Sequence, residues 1–300
     1  MSSLAQSNIV QYLTDYAYGI GGESIDPTAQ LLAPITQVAS PVGKYKKFDD
    51  KNAFQTPATD RALGGPARRL EFAASDADYN CKPQALEIGI DDAELSGGDP
   101  LAIQQMKTRL VVLASARAHA RKVIDVAAAG VGTNAVTWST GSTALTNVNT
   151  GIETILKATG ELPTDLLLGF GAWKYFVKNA EVTGLFKSGV LTPDLIQNAR
   201  LFLAPSLRLT VSSLVYDTTK PGVTKSSDLM LGSDAYLFIS SPQPSLYDPS
   251  FLKTFRTRTG GVEAVRMYRD ERTRSDIIAV DWTEDIQVVS TAGVYRMTVS

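Results

Sequence analysis

The sequence predicts an α+β protein in which helices come first and strands follow. Three observations carry that expectation. A helical pattern of unusual length covers residues 99–129, shorter helical patterns occupy much of 144–200, and from residue 207 onward short apolar runs alternate with turn residues. This segregation argues against the alternating strand–helix order of a parallel α/β sheet.

Residues 1–30 mix polar and small residues with Ile9, Val10, Tyr12 and Leu13, and Gly19, Gly21 and Gly22 are expected to break any helix that starts there. Such a segment reads as an arm, ordered only where it lies on something else. Leu31-Leu32-Ala33-Pro34 opens an extended stretch that continues through Val38 and Val42. Lys44-Tyr45-Lys46-Lys47-Phe48-Asp49-Asp50-Lys51 is a polar run with two aromatics, and Arg68-Arg69-Leu70-Glu71-Phe72 is a second extended piece beyond Leu63-Gly64-Gly65-Pro66. The two pieces read as a long β-hairpin. It is too poor in apolar residues to form a core, and a two-stranded ribbon is marginal alone in water, so it needs support from another subunit or another part of the chain.

The clearest element is the helix at 99–129. Asp99 suits the N-cap and Pro100 the first helical position. Apolar or small residues recur at Ile103, Met106, Leu110, Leu113, Ala120, Ile124 and Ala127, and Gly130 stops the run. A helix of that extent is roughly 45 Å long. Arg117, Arg121 and Lys122 give one face a positive charge. A second helix is expected over 144–159, a short buried strand at Leu166–Leu168, a third helix at Ala172–Asn179 and a fourth near 193–200. The strands then expected are Leu207–Val211, Leu214–Tyr216, Leu229–Leu231, Ala235–Ile239, Phe251–Arg258, Val262–Asp270, Ile277–Asp281 and Asp285–Val289, in an antiparallel meander with turns at 220–222 and 232–234.

Composition narrows the function. The 300 residues are 44% hydrophobic and 20% charged, enough for a sizeable core and unlike a disordered chain. A formal net charge of −2 argues against a strongly basic nucleic-acid binder. One cysteine, Cys81, excludes an intrachain disulfide or a multi-cysteine metal site, and one histidine, His119, excludes a multi-histidine cage. There is no apolar run of about 18 residues and no signal-like start, so a soluble globular protein of a reducing compartment is expected.

The motifs that could carry chemistry are weak. Gly130-Val131-Gly132-Thr133-Asn134-Ala135 has dinucleotide-fingerprint spacing but follows a helix and enters a Ser/Thr loop, so it reads as a helix stop. Asp91, Asp92 and Glu94 could bind a cation or share a proton, but beside Gly97-Gly98 they read as a solvated loop. His119, mid-helix between alanines, reads as helix surface or packing. Cys81, next to Lys82, is either a reactive thiol or a plain buried one, and nothing near it supports catalysis. No catalytic, cofactor-binding or metal-binding residue is assigned, and no cofactor is expected. Tyr268 to Asp276 is dense in mixed charge, either a solvated hairpin end or an ion-pair network with a neighbouring chain. Lys44, Lys46, Lys47 and Lys51 with Arg68 and Arg69 make the hairpin basic, for solubility or for docking onto an acidic patch.

The order of these features resembles the major capsid proteins of tailed double-stranded DNA bacteriophages, which share the HK97-like fold. The resemblance rests on Leu31-Leu32-Ala33-Pro34 before Lys44 to Phe48, on Gly64-Gly65 before Leu70-Glu71-Phe72, on Tyr79-Asn80-Cys81 and Ala85-Leu86-Glu87, and on the helix from Asp99. It continues through Pro163 to Gly169 with Trp173, and Gly260-Gly261-Val262-Glu263 leading to Tyr268 to Glu271. It spans about Leu31 to Val289, and it is the order of the pieces that is specific.

The resemblance implies an N-terminal arm at 1–30 and an extended loop region at 31–85. It implies a peripheral domain with its spine helix and the start of the axial domain at 86–200, the axial domain at 201–256, and return strands of the peripheral domain with the C-terminus at 257–300. It implies self-assembly into hexamers and pentamers of an icosahedral shell, with non-specific contact to packaged double-stranded DNA and no membrane. A portal, decoration proteins and a separate scaffolding protein are the implied partners, and the implied location is the virion, assembled in the host cytoplasm. Some members carry a long scaffolding region that a protease removes; with only residues 1–30 ahead of the match, a separate scaffolding protein or none is expected here. Some members cross-link Lys to Asn, but no partner Asn stands out, so that chemistry is not carried over. The residues expected at subunit contacts are Lys44, Tyr45, Lys46, Lys47, Phe48, Arg68, Arg69, Phe72, Arg269, Asp270, Glu271, Arg272 and Arg274. An encapsulin-like compartment shell and a soluble enzyme are the alternatives.

Deleting residues 44–72 is expected to leave a soluble protein that no longer assembles; intact shells of that variant in electron micrographs would contradict it.

Overall fold

The computed structural model describes residues 10–23, 27–48, 60, 74–139, 143–187, 204, 207–217, 219, 222–246, 248, 250–257 and 264–300. Its first half runs α1 (Gln11–Glu23), α2 (Thr28–Leu32), β1 (Ile35–Val38), β2 (Val42–Phe48), β3 (Ala74–Asn80), β4 (Lys82–Asp91), α3 (Asp92–Ser96), α4 (Pro100–Gly130) and β5 (Thr133–Val136). Then come α5 (Ala144–Thr159), β6 (Asp165–Gly169), α6 (Phe170–Lys178), α7 (Ala180–Lys187), β7 (Arg208–Ser212), β8 (Val215–Asp217), β9 (Ser227–Leu229) and β10 (Asp234–Phe238). The chain closes with β11 (Leu252–Thr257), β12 (Ala264–Asp270), β13 (Ser275–Val288) and β14 (Val294–Val299). From β7 onward the described elements are all strands, as the composition of those segments dictates, but β1–β4 precede the long helix and β5 and β6 fall among the helices; the protein is α+β.

Two five-stranded sheets share α4. In the first, the 14-residue β13 is the axis: β4 pairs along one edge from Ser275 to Glu284, while β12 and then β11 follow one another along the other. Parallel β1 extends this sheet beyond β11. The second sheet has the order β5-β14-β10-β6-β7, with parallel pairs at β5/β14 and β6/β7. The sheets are therefore mixed, where the sequence predicts an antiparallel meander. Polar Thr283 and Glu284 suggest a break that β13 does not make, because Glu284 is buried among cations. The sequence does not reveal β14, which joins the second sheet and separates the C-terminus from the strands that precede it.

Asp99 starts α4 as its side chain dictates, accepting a hydrogen bond from Leu101 N at 3.0 Å, with Pro100 in the first turn. The N-terminal half of α4 buries Val111 and Val112 against Ile90, Val265, Ile278 and Val280, together with Leu13 and Ala17 of α1. Its C-terminal half buries Ala120, Val123, Ile124 and Ala127 against Ala29 and Leu32 of α2 and against Leu167, Tyr236 and Phe238 of the second sheet. Met106 and Leu110, read from the sequence as part of the apolar face, are instead 53% and 52% exposed. The buried stripe passes through Thr108, Ser115 and His119. The N-terminal segment also departs from expectation: α1 continues through Gly19, Gly21 and Gly22, and it lies on α4 of its own chain, where burial of Leu13 and Ala17 offsets the low helix propensity of glycine.

The second sheet is covered on both faces. Leu166 and Leu168 point to α5, α6 and α7, and Leu167 points to α4, which is why β6 reads as an unbroken apolar run. Each such leucine, fully buried, stabilises by about 1.5–3 kcal/mol. α5 ends at Gly160, whose φ of 73° is the left-handed conformation glycine tolerates. The helix expected near 193–200 lies outside the described residues, and so does the strand expected at 68–72; the strand that pairs with β2 is β3, in register from Val42↔Asn80 to Phe48↔Ala74.

Gly169 marks the junction of β6 with α6. A Cβ there would run into Gly232 O and lie 3.1 Å from Gly232 C, both backbone atoms. Gly169→Ala is expected to destabilise the protein by about 1–3 kcal/mol, read as a lower urea midpoint with an unchanged slope.

Candidate functional site

The chemistry-bearing residues do not converge on a reactive centre. His119 projects from α4 into the first sheet, where Nδ1 lies 2.9 Å from Glu284 Oε2 and Nε2 is buried without a partner among the described residues. Arg256 Nη2 lies 3.3 Å from the same carboxylate and Lys122 Nζ 3.4 Å; Lys122 also donates to Gln84 Oε1 at 2.7 Å. Burial alone pushes the Glu284 carboxyl up, but the hydrogen bond and charge of His119, with the charge of Arg256, outweigh it and bring it down to about 2. This cluster ties α4 to β13, β11 and β4. A shallow cavity of about 290 Å³ opens beside it, lined by Lys82, Gln84, Lys122, Asp125, Val126, Glu284, Asp285 and Ile286.

Cys81 is buried, and its thiol donates to Phe255 O at 3.4 Å. Burial, reinforced by the charge of Asp285, pushes it up to about 11, so it stays protonated at neutral pH and is not a thiolate nucleophile. Asp91 caps α3 by accepting from Ala93 N at 2.8 Å, and Glu94 pairs with Lys107 at 3.1 Å. Asp92 takes a two-pronged contact from Arg269, which holds its carboxyl below the usual range. Gly130–Ala135 ends α4 and enters β5, so it opens no helix. Among the described residues no three His, Cys, Asp or Glu side chains gather as metal ligands.

The residues expected at subunit contacts fall into two places. Lys44, Lys46 and Lys47 lie on β2; Lys44 and Lys46 sit opposite Asp78 and Asp76, and Lys46 pairs with Asp76. Tyr45 differs from expectation: it is 2% exposed, packed against Phe255 of its own chain. The inward face of the strand takes it, because residue 45 alternates with lysines that point outward. Phe48 ends β2, and Arg68, Arg69 and Phe72 lie outside the described residues. The second place is the turn between β12 and β13. Arg269 is occupied within the chain by Asp92 and, at 3.3 Å, by Asp276. Asp270 closes the turn by accepting from Arg272 N at 2.9 Å and Thr273 Oγ1 at 3.0 Å. Glu271, Arg272 and Arg274 point into solvent, and the two arginines make no ion pair among the described residues. The mixed-charge run is thus largely an internal network with a cationic rim.

Sequence reasoning missed Phe255. It is fully buried and joins Tyr45 and Tyr79 in one cluster. The alternation in Phe251–Arg258 places it on a face, but nothing local reveals that the face receives the hairpin.

No protein-family model matches the chain, and no curated protein matches its sequence. Solved structures do. The chain is similar to a phage-related protein from Bordetella bronchiseptica RB50, with 21% identity, a TM-score of 0.68 and 96% of each chain covered. It is also similar to a putative capsid protein of an Escherichia coli CFT073 prophage, with 12% identity, a TM-score of 0.52, and 97% of this chain and 99% of that one covered. The fold is HK97-like. An encapsulin complex from Synechococcus elongatus PCC 7942 shares it at 12% identity and a TM-score of 0.55, over 92% of this chain and 88% of that one. Within the HK97-like fold, the Glu284 cluster sits where the long helix crosses the first sheet.

The depressed Glu284 carboxyl sets an acid limit. A carboxyl below its usual 4.5 stabilises the fold fully above that pH, and the contribution disappears as the pH falls toward 2. A difference of this size corresponds to about 3 kcal/mol. Urea midpoints measured from pH 7 to pH 3 are expected to fall steeply at the acid end, and Glu284→Gln is expected to flatten that fall, whatever its midpoint at pH 7.

Proposed function

We propose that this chain is a major capsid protein of a tailed double-stranded DNA bacteriophage, assembling with copies of itself into hexamers and pentamers of an icosahedral head. The observation that carries the reading is the whole-length likeness to a phage-related protein and to a prophage capsid protein. The likeness covers 96% and 97% of this chain, not one common motif. In this reading the work is geometric, and the protein is not an enzyme. The burial of His119 in an ion cluster and the raised thiol of Cys81 agree with that.

Roles follow for the segments. The first sheet, α1 and the N-terminal half of α4 form the peripheral domain, with α4 as spine helix. The second sheet, α5 to α7 and the β8–β9 hairpin form the axial domain, so that β14 belongs there and not with the return strands. The β2–β3 hairpin is the root of the extended loop. Lys44, Lys46, Lys47, Arg272 and Arg274 meet neighbouring copies. Packaged DNA is held by the closed shell and touched non-specifically, which a net charge of −2 suits. A portal, a separate scaffolding protein and decoration proteins complete a virion assembled in the host cytoplasm.

The likeness to an encapsulin complex favours one second reading, a shell around a protein cargo. Negative-stain microscopy of the expressed and concentrated protein is expected to show closed shells. Nuclease-protected nucleic acid inside particles assembled with the native partners supports the phage head; a co-purifying folded enzyme without nucleic acid points to the compartment. A protein that forms no shells with or without those partners overturns both.

A further inference from the structure

The hairpin root is built, not hinged. Along β2 and β3 the inward positions alternate large with small: Tyr79 faces Gly43 and Tyr45 faces Ala77 across the ladder. Tyr79 stacks on Phe255 with centroids 4.7 Å apart and planes 19° apart, and Tyr45 packs on the same ring at 5.2 Å. All three rings are buried, Tyr79 to 5% exposure and Phe255 to none. Gly43 is what lets Tyr79 lie flat, since a Cβ there would come within 2.6 Å of the ring carbon Cζ. The return side is stitched as well: Cys81 N donates to Pro41 O at 2.8 Å and Asn80 N to Asp285 Oδ2 at 2.8 Å. Asp285 is the cross-strand partner of Phe255. Ring stacking and the Asn80 N–H on Asp285 thus hold the hairpin against one rung of the first sheet, and the Cys81–Pro41 hydrogen bond ties its two strands to each other, whereas an isolated two-stranded ribbon would sway.

We infer that the root formed by Tyr45, Phe255 and Tyr79 over Gly43 fixes the direction in which the hairpin leaves the body, and so selects the geometry in which copies of this chain meet. The second half rests on the shell reading; the first does not. Tyr79 and Gly43 are positioning residues: they act on contacts made further out, by aiming the strands that carry Lys44, Lys46 and Lys47.

The test has two arms. In the isolated protein, spin labels at Lys47→Cys and Arg109→Cys report the hairpin's direction relative to α4, with buried Cys81 left in place. A single narrow distance distribution is expected in the parent and in Tyr79→Phe, which keeps the ring. A broadened or shifted one is expected in Tyr79→Leu and in Gly43→Ala, which deletes no side chain and only displaces the ring. In the assembly arm, unlabelled Tyr79→Leu and Gly43→Ala are expected to lose uniform closed shells and give open or mixed-size particles, while Tyr79→Phe retains them. Ile155→Val, a destabilised control at a fully buried residue of α5 packed with Leu166 and Leu168, is expected to assemble normally. An unchanged distribution in both Tyr79→Leu and Gly43→Ala overturns the inference. A changed distribution with unchanged shells overturns the link to assembly. A parent that never forms shells overturns the shell reading and leaves the distance measurement to decide the root.

Discussion

Where β11 pairs with β13, two consecutive rungs face opposite ways. Arg256 opposite Glu284 faces α4, and Phe255 opposite Asp285 faces the hairpin. The first rung meets His119 and Lys122; the second meets Tyr45, Tyr79 and Asn80. A slip of one residue would exchange the faces, putting a carboxylate under the tyrosines and a phenyl ring among the cations. Register at this point therefore sets both the seat of the long helix and the seat of the hairpin. The Glu284 cluster acts as a register device besides its pH-dependent contribution to stability. Desolvating a carboxylate and its cations costs much of what their attraction returns, whereas leaving one of them unpaired is strongly destabilising.

The helix that crosses this rung belongs to two cores. Over its N-terminal half α4 is a lid on the first sheet, shared with α1. Over its C-terminal half it is a layer of the second sheet, shared with α2. The change of partner explains why its buried stripe drifts around the helix and why alanines crowd it, Ala120 and Ala127 allowing close approach to Ala29 and Leu32. It also explains the cation–π contact of Arg121 with Tyr216, 4.5 Å from the ring centre, which holds the β8–β9 hairpin to the same helix. One element thereby fixes the two sheets relative to each other, together with their shared core, in which Leu252 and Phe251 pack with Tyr236 and Phe238.

Much of this was readable in the sequence where the signal is local. Asp99-Pro100 and Gly160 mark helix ends by their own chemistry, and Leu166-Leu167-Leu168 announces a strand buried on both faces. What was not readable is non-local. Met106 and Leu110 fit helical spacing as well as Val111 and Val112 do; only the angle at which α4 meets the sheet decides which pair is covered. Glu284 looks like an interruption until His119, far away in sequence, lies against it. Tyr45 looks like a contact residue among lysines until Phe255 is placed beneath it. β14 was missed because its partners, β5 and β10, are distant in sequence.

Under the shell reading, a preset root would bear on how strongly copies associate. A segment that orders itself only on binding sets its ordering entropy against the contacts it makes, and affinity falls accordingly. Here the rings of Tyr45 and Tyr79 are ordered in the fold of the single chain, so that cost falls on folding and not on association. The outward face of the same strands, with Lys44 and Lys46 opposite Asp78 and Asp76, is close to neutral. Charges of this kind add little affinity in water but penalise wrong juxtapositions, so under the shell reading they would act on the choice of register between copies. In that reading, direction from the buried rings and discrimination from the exposed charges would be separate physical contributions, carried by alternate residues of one strand.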